Sequence, residues 1–137
     1  IKAVNNDAGD YFGYSVSIYK NTLVVGSKGE CSNQRGAISI TNGTTASSNN
    51  SNSNSGAVYV YTRSGTEWIQ QAYIKSTNID AGDGFGRHLF FDNKTLVVGA
   101  RGEDSNQSTI TNEKITVLNN NYSSDSGAAY VYTFYGN

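Results

Sequence analysis

The chain contains the segment Asp7-Ala8-Gly9-Asp10-Tyr11-Phe12-Gly13 twice. It returns 73 residues later as Asp80-Ala81-Gly82-Asp83-Gly84-Phe85-Gly86. Other landmarks recur in the same order. Thr22–Ser27 returns as Thr95–Ala100, and Ser55–Thr62 returns as Ser126–Thr133. Because self-similarity at a fixed period is the signature of a repeat architecture, we predict two tandem units of roughly 73 residues, 1–73 and 74–137.

The two ends of the sequence fit this repeat. Ile1-Lys2 aligns with Ile74-Lys75, so the first unit is predicted to begin with the end of a fourth strand. Asn137 aligns with Thr66, so the second unit is predicted to lack most of its fourth strand. Two such units are too few to close a ring and would leave a strand edge unpaired. The predicted partners are therefore further copies of the same repeat, in the same chain or in neighbouring chains.

Each unit has the spacing of short antiparallel strands. In the first unit, apolar or aromatic segments at 14–19, 22–26, 57–62 and 68–74 are separated by turn residues and by one long polar insert. This pattern predicts a four-stranded antiparallel meander. The segment 57–61 is apolar or aromatic at every position, so we predict that both faces of its sheet are covered.

Tandem four-stranded sheets that pack face to face are the blades of a β-propeller. The Phe-Gly pair after the acidic turn, the later Val-Val-Gly, and the Gly-Ala-x-Tyr-Val-Tyr strand resemble the FG-GAP repeat. That family forms the blades of integrin α-subunit propellers and occurs in many bacterial surface proteins. The resemblance implies an all-β fold of tandem FG-GAP-like, propeller-type blades, and it implies a secreted or cell-surface protein.

Composition excludes several classes of protein. Ten Lys and Arg residues are scattered among eleven Asp and Glu residues, so no basic stripe exists and nucleic acid is not a predicted partner. No apolar stretch is long enough to span a bilayer. With 15 Gly, 10 Tyr and many Asn and Ser residues, the composition favours strands and polar loops over helices.

The repeated acidic turn is interpreted as a structural connection between blades. Its glycines permit positive φ, its aspartates can accept hydrogen bonds from turn amides, and its phenylalanines can wedge between blades. The residues assigned to this role are Phe12, Gly13, Phe85 and Gly86.

Calcium is the alternative interpretation of the same turn, because carboxylate oxygens are its preferred ligands. The weak candidate ligands in the turns are Asp7, Asp10, Asp80 and Asp83. The resemblance implies a metal loop between the first two strands of a blade. Here that position holds only Lys20-Asn21 and Asp92-Asn93-Lys94, so the calcium sites of the family are not carried over.

The polar inserts between the second and third strands are about 27–55 and 100–126, far longer than a hairpin requires. They are interpreted as solvated loops, or as the ligand-binding face that the resemblance implies. Four of their carboxylates are weak candidates for a cation site: Glu30, Glu103, Asp104 and Asp125. Five Asn-x-Ser/Thr triplets are candidates for glycosylation: Asn42, Asn49, Asn93, Asn106 and Asn121.

No catalytic residues are predicted, because the paired carboxylates recur in both units and no nucleophile, zinc or phosphate-binding motif is present. Cys31 takes the position of Asp104 and is predicted to be exposed, with an intermolecular disulfide as one alternative. The aromatic residues suggest sugar stacking, but Tyr59 and Tyr130 lie at strand positions that favour core packing between blades.

We therefore predict a non-catalytic extracellular binding or adhesion module, part of a larger β-propeller that displays long polar loops. A protein or carbohydrate ligand is the expected partner. The alternative is a self-assembling structural subunit of an extracellular filament or sheath, with blades completed between chains and with glycosylated inserts.

Overall fold

The computed structural model describes residues 1–39, 46–108, 110 and 121–134. In this part of the chain all regular structure is β, and no helix is present that could cross a membrane. Eight strands follow one another in the chain. They are β1 Phe12–Tyr19, β2 Thr22–Ser27, β3 Ala37–Ser39, β4 Ala57–Ser64, β5 Glu67–Ile74, β6 His88–Asp92, β7 Thr95–Ala100 and β8 Ala128–Thr133.

The first unit forms an antiparallel sheet with the strand order β1-β2-β4-β5-β3. Two-residue turns join its hairpins: Lys20-Asn21 lies between β1 and β2, and Gly65-Thr66 lies between β4 and β5. Lys20 and Gly65 have positive φ, which short hairpin turns require because it matches the twist of the strands. The four strands predicted from the sequence are all present.

The first sheet has one strand more than the sequence predicts. β3 lies inside the polar insert and pairs with the outer edge of β5, with Ile38 opposite Tyr73. This short strand covers an edge that would otherwise expose unpaired backbone groups. Its three residues, flanked by Asn, Ser, Gly and Thr, are too few to produce a recognisable alternation, and the insert was therefore predicted as loop alone.

The second unit forms an antiparallel sheet of three strands, in the order β6-β7-β8. Asn93-Lys94 joins β6 to β7, with Asp92 paired to Thr95. Its register repeats that of the first unit: Val97 pairs with Val131 as Val24 pairs with Val60. In the described residues β8 is an edge strand.

The two faces of each sheet differ in composition, and we name them by their residues on the third long strand. The tyrosine face bears Tyr59 in the first unit and Tyr130 in the second. The valine face bears Val60 in the first unit and Val131 in the second. Because side chains alternate along a strand, cross-strand partners share a face.

One hydrophobic core lies between the two sheets. It joins the valine face of the first sheet to the tyrosine face of the second, and it includes Val24, Val58, Val60, Ile74, Phe85, Phe91, Leu96, Val98 and Ala100. A second core covers the tyrosine face of the first sheet with the N-terminal segment and part of the insert, and it includes Ala3, Ala46, Tyr59, Tyr61 and Tyr73. The prediction that both faces of β4 are covered is confirmed.

Hydrogen bonds also join the two sheets directly. The Ser15 hydroxyl donates to the Gly86 carbonyl oxygen at 2.7 Å. The Ser17 hydroxyl donates to the Phe91 carbonyl oxygen at 3.2 Å and accepts from the Phe91 amide at 3.1 Å. These small polar residues of β1 allow β6 to approach closely. The all-β, antiparallel fold is thus confirmed, and the described sheets do not close into a ring.

Candidate functional site: the loop face

The acidic turns have the same internal geometry in both units. Asp10 Oδ2 accepts a hydrogen bond from the Asp7 amide at 2.8 Å, and Asp83 Oδ2 accepts one from the Asp80 amide, also at 2.8 Å. Each aspartate therefore caps its own turn, as such side chains do when they accept hydrogen bonds from nearby backbone amides. Both aspartates are buried.

The phenylalanine that follows each turn packs against two tyrosines of its own unit. The Phe12 ring lies 5.3 Å from the Tyr59 ring and 6.3 Å from the Tyr61 ring, edge to face. The Phe85 ring lies at the same distances from Tyr130 and Tyr132. Such pairs contribute roughly 0.5–1.5 kcal/mol beyond burial of their area. Phe85 lies in the core between the sheets, and Phe12 lies on the tyrosine face of the first sheet.

The glycine after each phenylalanine has positive φ, 91° at Gly13 and 84° at Gly86. At Gly86 the backbone also approaches β4 closely, since an added Cβ would overlap the Ala57 carbonyl oxygen. A side chain at this position would therefore separate the turn of the second unit from the first sheet.

The tyrosines that pack against the two phenylalanines are buried to different extents in the two units. Tyr59 and Tyr61 are buried, whereas Tyr130 and Tyr132 are half-buried. The prediction that Tyr59 and Tyr130 pack between blades needs correction for the first unit. Tyr59 and Tyr61 face the N-terminal segment, because the tyrosine face of the first sheet points away from the second sheet.

The first polar insert lies against the acidic turn of the second unit. The amides of Gly82, Gly84 and Phe85 donate to the carbonyl oxygens of Ser53, Asn54 and Ser55, at 2.9, 3.0 and 2.9 Å. The insert also contacts the acidic turn of its own unit, because the Asn50 amide nitrogen donates to Asp7 Oδ2 at 2.9 Å. Inserts and turns thus share one end of the sheets. We call this surface, formed by residues 5–11, 28–35, 46–56, 76–84, 101–108 and 121–127, the loop face.

A buried hydrogen-bond network lies beneath the loop face in each unit. In the first unit the Asn5 amide donates to Glu30 Oε1 at 3.2 Å, and the Tyr59 hydroxyl donates to Asn5 Oδ1 at 2.9 Å. In the second unit Asn78 takes the place of Asn5: it donates to Glu103 Oε1 at 2.6 Å and accepts from Tyr130 at 2.7 Å.

The two asparagines are members of the buried network that the sequence analysis missed. Asn5 and Asn78 stand at the same offset as the acidic turns, so the duplication itself was the signal that could have found them. They are buried and join the N-terminal segment of each unit to its own sheet. An unpaired amide at such a position would be costly, and every network member here has a partner.

A buried ion pair completes the network of the first unit. Lys75, at the end of β5, donates through Nζ to Glu30 Oε2 and to the Ser55 hydroxyl, the latter at 2.9 Å. Both charged side chains are shielded from solvent. Burial lowers the pKa of Lys75, and the negative charge of Glu30 opposes that effect.

The proposed four-carboxylate cation site is not assembled. Glu30 and Glu103 lie in separate units, and each is buried in the hydrogen-bond network of its own unit. Asp104 Oδ1 instead accepts from the Asp125 amide at 2.6 Å and closes the second insert. Among the described residues, no three side chains of His, Cys, Asp or Glu converge as metal ligands. The calcium candidates in the acidic turns are likewise distributed over two units.

The sequence pattern of the FG-GAP repeat family matches residues 1–41 and 68–110, more than half of the chain. The chain belongs to the FG-GAP repeat family. The second match begins near the start of β5, at Trp68, and each match includes an acidic turn, its phenylalanine and the buried glutamate. No curated protein and no solved structure matches the chain. FG-GAP repeats are typically extracellular or cell-surface binding and adhesion modules, and the family is generally non-enzymatic.

The glycosylation candidates of this FG-GAP chain lie mainly on the loop face. Asn49, Asn106 and Asn121 are exposed there, and Asn93 is exposed in the β6–β7 turn at the opposite end of the sheet. Asn42 lies outside the described residues. Exposure is a requirement for glycosylation of these side chains, so the four described triplets stay candidates.

Cys31 is half-buried, which corrects the prediction of an exposed thiol. Its sulfur donates to the Gly29 carbonyl oxygen at 3.0 Å and accepts from the Asn54 amide at 3.4 Å. Asp104 accepts from the Asp125 amide in the same way, and Asn54 and Asp125 are equivalent positions of the repeat. The cysteine and the aspartate therefore have one shared task, which is to close the insert of their FG-GAP unit.

Proposed function

We propose that this chain is a non-catalytic extracellular binding or adhesion module of a larger β-propeller, in which the polar loop face contacts the ligand. The observation that supports this most is that the described parts of both inserts lie with both acidic turns at one end of the sheets. The backbone bonds from the turn of the second unit to Ser53, Asn54 and Ser55 fix these loops relative to one another. Rigidly positioned loops on a β scaffold are a common basis for recognition.

The chemistry of the loop face favours a polar ligand, such as a carbohydrate or a protein surface. The exposed tip of the first insert, Asn49-Asn50-Ser51, offers amide and hydroxyl groups that both donate and accept hydrogen bonds. The large aromatic side chains of the third strands lie in the cores and are not offered to a ligand. The loop face also exposes the rings of Tyr11 and Tyr122, at 60% and 82%, so recognition would combine hydrogen bonds with stacking on these two rings.

A binding assay with a variant that lacks the polar side chains at the tip of the first insert tests this proposal. The chain, immobilised on beads, is exposed to an array of glycans and to purified extracellular matrix proteins. We expect binding to at least one of these probes, and loss of that binding in the triple variant Asn49→Ala, Asn50→Ala, Ser51→Ala. The matched control is Asp92→Asn with Asn93→Ala at the opposite end of the second sheet. Equal binding by both variants would contradict a ligand site on the loop face.

Self-assembly into a filament or sheath is the second candidate function, and the two open faces of the chain favour it. On the tyrosine face of the first sheet, Val16 and Ile18 are 63% and 60% exposed. On the valine face of the second sheet, Phe90 and Val131 are 63% and 66% exposed. In the other unit, the equivalents of these two faces pack against each other and form the interface that joins the sheets inside the chain.

Electron microscopy of negatively stained samples separates the two candidates. A module of a closed propeller gives discrete compact particles, because ring closure buries every face. A head-to-tail assembly that does not close gives regular polymers. Intact-mass measurement of protein from its native source additionally tests the glycosylated coat, since a mass of 14.7 kDa equals that of the bare chain.

A further inference from the structure

The buried glutamates of the two units have nearly the same surroundings. Glu103 accepts from Asn78 as Glu30 accepts from Asn5. The Ser126 hydroxyl donates to the carbonyl oxygens of Glu103 and Ser105, both at 3.1 Å. The Ser55 hydroxyl makes the matching pair of bonds in the first unit, at 3.1 and 3.2 Å. The duplication therefore extends to the geometry of the site.

The main difference between the two sites lies where the end of β5 reaches the first one. There Lys75 binds Glu30 Oε2 and the Ser55 hydroxyl, while the Tyr73 hydroxyl lies 2.8 Å from the Ser32 hydroxyl. In the second unit the Ser105 hydroxyl, equivalent to Ser32, donates to Glu103 Oε2 at 3.0 Å. In the second unit the Ser105 hydroxyl thus donates to Glu103 Oε2, whereas in the first unit the equivalent oxygen, Glu30 Oε2, accepts from the Lys75 ammonium group.

Asp83 gives a second and independent indication that this site accepts a cation. Asp83 is 1% exposed, and its Oδ1 has no hydrogen-bond partner among the residues that the structure describes. Burial raises the pKa of Asp83 to about 7, and the charges of Asp80, Glu103 and Asp104 add to the effect. In the first unit the pKa of Asp10 is also raised by burial, but there the positive charge of Lys75 opposes the increase.

The edge of β8 lies beside this site and has the register to receive a strand. In the first unit β5 pairs antiparallel to β4, with Val58 opposite Ile74, and so delivers Tyr73 and Lys75 to the buried glutamate. β8 is the equivalent of β4, and among the described residues it pairs with β7 alone. Ala129 is the equivalent of Val58, which lies opposite Ile74, the residue before Lys75. In an added strand the residue opposite Ala129 would therefore be followed by the lysine.

We propose that Glu103, Ser126 and the edge of β8 form a docking site for an extended strand of a further repeat that ends in the pattern Tyr-Ile-Lys. The lysine ammonium of this strand binds Glu103 Oε2 and the Ser126 hydroxyl, and its tyrosine hydroxyl binds Ser105. This inference rests on the proposal that the chain works together with further copies of its repeat. It specifies the chemistry by which the next module is recognised.

A peptide with the sequence of Glu67–Lys75, Glu-Trp-Ile-Gln-Gln-Ala-Tyr-Ile-Lys, is the probe for this site. Labelled at its N-terminus, it is titrated with the full chain, and binding is measured by fluorescence anisotropy. We expect saturable binding that weakens at least roughly tenfold when the peptide lysine is replaced by glutamine, because truncating one partner of a buried charge pair is costly. The variant Glu103→Gln is expected to cause a similar loss.

Two controls keep the test specific. Asp92→Asn removes one negative charge at the far end of the second sheet and is expected to leave peptide affinity unchanged. Circular dichroism establishes that Glu103→Gln is folded. Should that variant not fold, the comparison of the lysine and glutamine peptides on the unaltered chain gives the answer alone.

Equal affinity for the two peptides, equal affinity of Glu103→Gln and the unaltered chain, or no peptide binding at all would each overturn the lysine site. Such a failure is distinguishable from failure of the proposed function. Loop-face binding and association through the apolar faces are measured separately and do not require the peptide to bind.

Discussion

At the scale of single residues, the structure depends on polar groups that are buried and almost completely paired. Glu30 receives hydrogen bonds from Asn5, from the Ser32 amide and from Lys75. Burying two opposite charges is costly unless further hydrogen bonds satisfy them, and this network supplies those bonds. The network connects the N-terminal segment, the first insert and the end of β5, three parts of the sequence that no local signal would associate.

Removal of one partner of the ion pair is therefore expected to be more damaging than removal of both. Lys75→Met leaves Glu30 buried with its charge uncompensated, and we expect it to lower the free energy of unfolding by about 3–5 kcal/mol. The double variant Glu30→Gln, Lys75→Met removes both charges and is expected to recover part of that loss. Urea denaturation followed by tryptophan fluorescence of Trp68 measures both. A double variant less stable than Lys75→Met would contradict the account.

The raised pKa of Asp83 is expected to make the free energy of unfolding depend on pH. Its pKa is raised from 3.8 to about 7 by burial, so the folded chain binds a proton that the unfolded chain releases near pH 4. The contribution of this carboxyl group is therefore full below pH 4 and is lost as the pH rises towards 7, on the order of 4 kcal/mol in total.

The variant Asp83→Asn isolates this effect, since its amide does not titrate. Between pH 4.5 and pH 7.5 the unaltered chain should lose more stability than the variant, as measured by urea midpoints. Asp92→Asn, at an exposed carboxylate, serves as the control and should follow the unaltered chain. Identical pH profiles for Asp83→Asn and the unaltered chain would show that Asp83 has an ordinary pKa.

At the scale of elements, the connection between the units is a backbone clamp. Gly56 and Phe85 form an isolated parallel bridge where the first insert meets the acidic turn of the second unit. Gly56 has a φ of 83°, and an added Cβ would overlap the backbone of Phe85. The clamp holds the loops of one unit against the turn of the next, so it also sets the shape of the loop face.

Two glycine-to-alanine substitutions distinguish the effect of this clamp on stability from the strain of a positive φ alone. Gly65 also has positive φ, but its Cβ would meet open space, so Gly65→Ala should cost only about 1–2 kcal/mol. Gly56→Ala adds a backbone clash to the same strain, so we expect its loss in thermal denaturation to be clearly larger. Equal losses would contradict the clamp.

The elements also show how far the sequence alone could predict this fold. The long strands follow from apolar alternation and turn residues, and the recurrence of each landmark in the second unit supports the same assignment. The short strand at Ala37–Ser39 could not be found, since it depends on the exposed edge of β5 and not on its own residues. The role of Glu30 was missed for a similar reason, because its burial depends on Lys75, which lies 45 residues away.

At the scale of the whole molecule, the chain has one complete interface between sheets and two incomplete ones. The valine face of the first sheet is buried against the tyrosine face of the second. The valine face of the second sheet exposes Phe90, Val97 and Val131, which are the equivalents of buried or bonded residues in the first. Exposed apolar patches of this kind mark sites of association. The duplication predicted this arrangement, although it left the number of units and the order of assembly open.

A single charge on the open valine face should prevent association. In Val131→Glu a carboxylate would have to be buried against the next sheet, so we expect dissociation to a monomer, with the fold of the chain unchanged. Tyr122→Glu also places a charge at an exposed aromatic residue of the second unit, but on the loop face, and it should associate as the unaltered chain does. Association of Val131→Glu at unaltered strength would assign the contact to another surface.

Sedimentation velocity over a wide range of protein concentration tests most directly whether these sheets are completed by further modules. We expect species heavier than 14.7 kDa whose proportion grows with concentration, and a single 14.7 kDa species for Val131→Glu. A folded 14.7 kDa monomer at every concentration of the unaltered chain would contradict this expectation.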